Sequence, residues 1–534
     1  MTPSRPLAEE TANPPGPTDG ARSLAPAPTR RRPWLRASLP GFLYPLEITV
    51  AFIVGMSFVF GVSPHAIFRS LIIAVVGVTM LMLLVTAILR DVDRAAVVML
   101  LLVFLYLSVG TVILVVLFFL VVLAVILFNH LPRGRGSWAR FSGAASSFAS
   151  ILLVIILVQG YSTGKLGSAI ADLGQGGGLP GPDFAAQIDP AKPDIYVIIL
   201  DGYARPDTLR TSFGFDDGPF LDQLESRGFD LASNSHSNYS ATAETLVTML
   251  DMNYLGQIPQ VANLHSGEPA GDGQYRQAIN HNKVFDLMRG QGYQVVATGS
   301  GWEQLALRQA DVYMDGGQLN TFEAAMLSIS GLGHLIQQVA PDWAGDQVRG
   351  RIDGTFEELR QVAGTPSSRP RLVISHVLAP HPPLVYGPDG EHLRIDASAP
   401  FAFDWTQAAA APQLRAAYVG QVAYVNSQVL PVVDALTSST RRPTVVVLMS
   451  DHGSRMDTPA GSSVLSPEAD RNFFATLTPG HRGLFGDSPT PVNLFPNLLN
   501  AYLGTNLPIL PDHSFVSAWG DPLNVTPLPD ASSP

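Results

Sequence analysis

Two strongly apolar runs, from Phe42 to Val62 and from Ile67 to Leu89, constrain this chain more than any other feature. At 1.5 Å of rise per residue, about 20 apolar residues form a helix that crosses a hydrocarbon core of ~30 Å. Residues 95 to 132 then carry no Asp, Glu, Lys or Arg. That stretch is too long for one crossing and suits two short ones joined near Ser108-Val109-Gly110. Ala144 to Gln159 makes a fifth, so a five-span membrane domain is expected over residues 38–161. Arginines cluster at Arg30 to Arg36, at Arg90 and Arg94, and at Arg133, Arg135 and Arg140: before span one, after span two and after span four. The positive-inside rule assigns all three clusters to the cytoplasm, with the N-terminus inside and everything after Gly160 outside. Glu47, near the start of span one, is expected to reach the interface or a neighbouring helix. Residues 1–37, rich in Pro, Ala, Arg and Ser without apolar periodicity, are expected to be a disordered cytoplasmic tail. Thr29 to Arg36 faintly resembles a twin-arginine export signal, but the spans that follow favour anchoring charge.

Composition narrows the chemistry. The 534 residues contain no cysteine, which excludes disulfides, Cys-ligated zinc, iron–sulfur clusters and a thiol nucleophile. Net charge is −11, unevenly spread: residues 1–165 hold 13 Lys and Arg against 6 Asp and Glu, and the remainder holds 20 against 38. A basic membrane part feeds an acidic globular part, and nucleic acid is therefore not an expected partner.

Residues 162–192 have linker composition, with Gly174-Gln175-Gly176-Gly177-Gly178 at their centre. From Pro193, short apolar runs end in polar residues at Ile195 to Asp201, Gln294 to Gly299, Leu372 to His376 and Thr444 to Asp451, with helix-length segments between them. This pattern predicts an α/β domain over 193–525, a mostly parallel sheet flanked by helices, followed by a loose tail over 526–534.

Ligands of open parallel sheets gather beyond the carboxyl ends of the strands, so polar residues closing buried runs come first. Asp201-Gly202-Tyr203 leaves one strand with a carboxylate and a residue able to turn sharply; an Asp there is also a common turn former. Asp451-His452-Gly453 leaves another with a hard oxygen and an imidazole, a pair suited to one divalent ion, although a plain turn has the same composition. Ser237 to Leu250 runs from a polar loop into a helical pattern with Thr242 near its start, where backbone N–H groups and the helix dipole favour phosphate and an alkoxide. The bland alternative is an N-cap threonine. His376 and His381 are expected on one prolyl loop after a strand and are candidates for protonating a leaving alkoxide or binding a phosphate oxygen. Arg205 and Trp302 are candidates for a phosphate contact and a cleft wall.

These segments together resemble the alkaline phosphatase and sulfatase superfamily, specifically its lipoteichoic acid synthase and phosphoethanolamine transferase branch. The likeness rests on Asp201-Gly202-Tyr203, Thr242-Ala243-Glu244-Thr245, His376 to His381, Ser450-Asp451-His452-Gly453 and the segment from Pro491 to Asp512, after five spans. The resemblance implies an extracytoplasmic enzyme in which Thr242 is nucleophile and metal ligand. It implies Asp201, Asp451 and His452 as the other ligands of one divalent ion (Mn, Mg or Zn), and His376 and His381 as substrate-binding residues. Two departures stand out: Asp201 replaces the branch's usual Glu, and no Cys/Ser-x-Pro-x-Arg motif surrounds Thr242, which disfavours sulfate ester hydrolysis.

The implied reaction moves a phospho-alcohol head group from a phospholipid donor to an envelope glycan, lipid or polymer through a phospho-threonine. The chain would sit in the plasma (inner) membrane. A phosphodiesterase using water as acceptor, and a non-catalytic envelope receptor or scaffold, are the alternatives.

Overall fold

The structure is a computed structural model that describes residues 39–60, 62, 64–107, 137–162, 192–262, 272–316, 318–394, 412–438, 442–458, 465–518 and 521–528. The N-terminal tail, almost all of the linker, the end of the third span and all of the fourth lie outside these residues.

Helices α1 (Leu39–Phe60), α2 (Pro64–Leu89) and α4 (Ser137–Ser162) are each long and apolar enough to cross a membrane. Between them, α3 (Val92–Leu107) covers the first part of the expected third span. Glu47 is held by the neighbouring helix: Ser146 Oγ and Ser150 Oγ of α4 donate to its carboxylate at 3.0 and 3.2 Å. An acid half-buried in an apolar bundle is tolerable when hydroxyls replace part of its water.

The second unit is built on a seven-stranded sheet in the order β2-β7-β6-β1-β5-β3-β4. The strands are β1 (Asp194–Leu200), β2 (Asp230–Leu231), β3 (Gln294–Thr298), β4 (Val312–Met314), β5 (Arg371–Val377), β6 (Thr444–Met449) and β7 (Phe474–Leu477). Strand β1 runs parallel to β5 and β6, β3 parallel to β4 and β5, and β7 antiparallel to its two neighbours. Both faces are covered. Tyr196, Ile198 and Leu200 pack in one core with Phe356 of α7 (Trp343–Gly364) and Val422 of α8 (Pro412–Thr437). Ile195, Val197 and Ile199 pack in another with Leu246 of α5 (Thr242–Asp251). Burial on both sides explains why these strands are continuous apolar runs and not alternating ones.

The C-terminal boundary differs from expectation. Strand β9 (Asp521–Pro527) pairs antiparallel with β8 (Phe515–Ala518), so ordered pairing passes residue 525. Leu523 and Val525 do alternate with polar residues, but prolines at 522 and 527 mask so short a pattern.

The sheet domain is planted on the membrane helices. Asn320 and Glu323 form a capping box at the start of α6 (Thr321–Ser328), and the same two side chains reach α2. Asn320 Nδ2 donates to Ala66 O at 2.9 Å, and the Arg69 guanidinium bonds both Glu323 carboxylate oxygens, its Nε at 2.7 Å. Phe322 and Met326 pack with Ile53, Val62 and Ala66. Ala66 and Arg69 lie at the end of α2 opposite Arg90, which the positive-inside reading leaves outside the cytoplasm.

One buried ring steadies the turn after β1. Tyr203 Oη lies 3.0 Å from Asp217 Oδ2 and 2.7 Å from Asn426 Oδ1, while Asn426 Nδ2 donates to Asp217 Oδ1 at 2.7 Å. A phenol has one proton to give, so all three contacts are hydrogen bonds only when Asp217 carries a proton and donates to Tyr203. Burial accordingly pushes the Asp217 carboxyl up to about 6. Its folded value exceeds the unfolded one, so its contribution to stability is complete below about pH 4 and is lost as pH rises through 6. Asp217→Asn keeps a donor toward Tyr203 at every pH. Its melting temperature, measured on the full chain, is expected to exceed the wild type at pH 7.5 by the equivalent of roughly 2–3 kcal/mol and to match it at pH 4. A pH-independent difference would contradict the protonated ring.

Candidate active site

Sheet register brings the two aspartates together. Ile199 of β1 is the partner of Met449 of β6, and Asp201 and Asp451 each stand two residues further along neighbouring parallel strands. Gly202 adopts φ +69°, a left-handed turn open to glycine, and its N–H donates to Asp451 Oδ1 at 3.1 Å. His452 follows, with Nε2 3.6 Å from Asp201 Oδ1 and 3.5 Å from Asp451 Oδ2. All three side chains are fully buried, and ligand atoms from each lie within 4.8 Å of one another.

The electrostatics suit a cation. His452 Nδ1 lies 2.7 Å from Gly453 O, which fixes the proton there and leaves the lone pair on Nε2. Burial and then Arg455 push the pKa of this ring down to about 4, keeping it neutral. Burial would raise Asp201, but His381 and the hydrogen bond from His376 outweigh it and hold the carboxylate well below its usual range. Among the described residues, Asp201 Oδ1 and Asp451 Oδ2 have no hydrogen-bond partner. Two orphaned, buried carboxylate oxygens facing an imidazole lone pair are costly unless a metal ion completes them, and this donor set fits one divalent ion.

Gly453 is required for a different reason from Gly202. A Cβ there would stand 2.5 Å from the backbone oxygens of both Arg471 and Glu468. Gly453→Ala is therefore expected to destabilise the domain by about 2 kcal/mol or more and to displace His452. Thermal unfolding combined with a metal-binding titration checks this; unchanged melting and affinity would contradict it.

Thr242 is the first residue of α5, after Ala241 as N-cap. It is 5 % exposed, and no hydrogen bond engages its hydroxyl among the described residues, so it is not the capping threonine of the bland alternative. The segment before it is tied to the β6 loop: Ser237 Oγ donates to Asp451 O, and Arg455 donates to Ser240 O through Nε (3.1 Å) and Nη2 (2.8 Å). Arg455 Nη2 also donates to His452 Nε2 at 2.9 Å, so the guanidinium holds the lone pair that an ion would take and gives it up when the ion binds. The helix N-terminus and the three-residue cluster are thus linked through one guanidinium.

The two histidines part company. His376 belongs to β5, not to the loop, and pairs with Ile199; its Nε2 lies 3.0 Å from Asp201 Oδ2. Burial works against a charged ring, but this hydrogen bond prevails and holds its pKa above the ordinary value. Its ring is therefore engaged with a candidate ligand, where the sequence suggested substrate. His381 does lie on the loop, its N–H donating to Asp201 O at 2.9 Å and its Nδ1 2.5 Å from Pro382 O, with Trp302 edge-on at 5.7 Å. Arg205 turns elsewhere, forming a two-pronged pair with Asp207 at 2.7 and 2.8 Å.

Two further residues escaped the sequence reading. Arg455 follows His452 by three positions, and a cation so close to the motif was its only signal. Glu244, two residues into α5, is 1 % exposed and burial pushes its carboxyl up to about 7.

The sulfatase family model matches residues 193–481 of this chain. No curated protein matches it. Among solved structures, the C-terminal periplasmic domain of EcEptC from Escherichia coli in complex with zinc is similar at 14% identity and TM-score 0.39, covering 60% of this chain and 85% of that one. BT1596, a 2-O GAG sulfatase, is similar at 18% identity and TM-score 0.40, with coverage of 59% and 72%. The phosphonate monoester hydrolase of Agrobacterium radiobacter is similar at 14% identity and TM-score 0.40, with coverage of 61% and 80%.

Proposed function

The chain belongs to the sulfatase family, and from that premise we propose that it is a membrane-anchored, metal-dependent transferase that moves a phospho-alcohol head group from a phospholipid to an envelope acceptor. The observation that carries this reading is the buried Asp201–Asp451–His452 cluster with its two orphaned oxygens, linked by Arg455 to the start of the helix that Thr242 opens. Bound there, a divalent ion supplies a positive charge that lowers the pKa of a hydroxyl and neutralises phosphate oxygens. Asp201, Asp451 and His452 Nε2 would hold it, with Thr242 Oγ as the fourth donor; oxygen and imidazole donors suit Mn, Mg or Zn.

Thr242 Oγ attacks phosphorus, the bond to the lipid alcohol breaks, and a phospho-threonine ester forms. His381, with its Nδ1 2.5 Å from Pro382 O, takes the hydroxyl proton and returns it to the departing alkoxide. His376 positions Asp201. In the second half an acceptor hydroxyl attacks phosphorus, its proton passes by the same ring to Thr242, and the enzyme is restored. Diacylglycerol, the leaving alcohol, never has to enter water, because the membrane helices hold the domain beside the head groups. The catalytic domain would face the outside of the plasma membrane.

Purified full-length protein incubated with head-group-labelled phospholipids tests this by intact mass. A head-group adduct on Thr242 that persists until an acceptor is added supports transfer. Turnover in water alone identifies a hydrolase, and neither adduct nor turnover identifies a scaffold.

A further inference from the structure

A cavity of about 460 Å³ opens between the membrane helices and the sheet domain, away from the catalytic cluster. Its walls are the facing sides of α1, α2 and α3, with Ile73, Val78 and Val103 among them, and α6 forms its roof through Phe322 and Met326. Polar groups gather at the roof end, where Arg69 and Glu323 are already paired with each other. Thr49, deeper in, spends its hydroxyl on Pro45 O of its own helix.

Close packing leaves no such space empty, and this one is a groove open on one side, where Ile73 of its wall is 65 % exposed. Water is a poor filler, because an ordered water needs two to four polar partners and the walls offer few. Its walls are helices long and apolar enough to stand in a bilayer, so the solvent available to it is hydrocarbon. We infer that this cavity is a lipid site that takes one acyl chain of a bilayer phospholipid, with the head group left at the Arg69–Glu323 end. The lipid completes the contact between α6 and α1–α3, making the seating of the sheet domain on the membrane lipid-dependent. This site does not rest on the reaction proposed above, and its test reads binding alone.

Gly77 lines the cavity, and a Cβ added there meets nothing within 4 Å. Gly77→Phe should therefore fill the space without a clash, and Gly143→Phe on α4, also open around its Cβ and outside the cavity, is the control. The full-length chain is placed in nanodiscs of phosphatidylcholine carrying a photoreactive diazirine on one acyl chain, and labelled peptides are mapped. Exposed Phe148 and Ile151 of α4 report ordinary lipid contact.

Labelling at Val78 and Val103, relative to that baseline, is expected to fall about ten-fold in Gly77→Phe, equivalent to ~1.4 kcal/mol of binding, and to stay unchanged in Gly143→Phe. Equal labelling in Gly77→Phe and wild type would overturn the proposal. Independently of any variant, native mass spectrometry of the wild-type chain released from the nanodiscs is expected to show one retained lipid per chain. A lipid-free chain with unlabelled cavity residues would mean that the space is filled from within the protein, and the proposal would fall.

Discussion

Thr242→Ala is expected to lower kcat by at least ~10³-fold and to erase the head-group adduct, because no other hydroxyl opens the helix beside the buried cluster. The loss should be chemical and not structural. Thr242 is not the N-cap, and its hydroxyl makes no hydrogen bond among the described residues, so α5 and the packing of Leu246 and Val247 survive its removal. Melting temperature is expected to change little. Thr242→Ser restores the hydroxyl without the methyl group and should recover both adduct and a measurable part of the rate. Full activity in Thr242→Ala would remove the covalent step.

Removing the divalent ion is expected to act on activity and stability together. Asp201 and Asp451 each keep one oxygen without a partner in a fully buried site, so the metal-free protein retains two unsatisfied carboxylate oxygens. Chelation should abolish turnover and lower the melting temperature. A cation at 100 times its Kd should return ~2.7 kcal/mol of stability. Asp451→Ala should behave as the chelated protein does and should not respond to added metal. Turnover that survives chelation, with no metal detected in the sample, would contradict a cation-dependent reaction.

How far such a site can be read from sequence depends on the range of the interactions that build it. Asp201 and Asp451 were legible because each closes a run of buried residues, and the parallel register of β1 and β6 then aligns them without further information. Thr242 was legible as a helix start for the same local reason. His376 was placed on the loop because a histidine ending an apolar run can belong to strand or loop; the pairing of β5 with β1 puts it in the strand, with its ring beside Asp201. The Tyr203–Asp217–Asn426 ring joins segments more than 200 residues apart, and no local pattern announces it. In α6 the spacing of Asn320 and Glu323 is that of a capping box, but no local pattern announces that the same two side chains grip α2. Gly453 stands in a legible motif, but what requires it there is the closeness of two carbonyl oxygens from residues further along the chain.

Anomalous diffraction from crystals of the full-length protein grown with manganese or zinc is the decisive experiment. One peak is predicted inside the Asp201–Asp451–His452 cluster, with Thr242 Oγ joining their donor atoms at roughly 2.0–2.3 Å. An ion bound elsewhere, or bound in the cluster with the Thr242 hydroxyl turned away, would contradict the shared role of that hydroxyl as ligand and nucleophile.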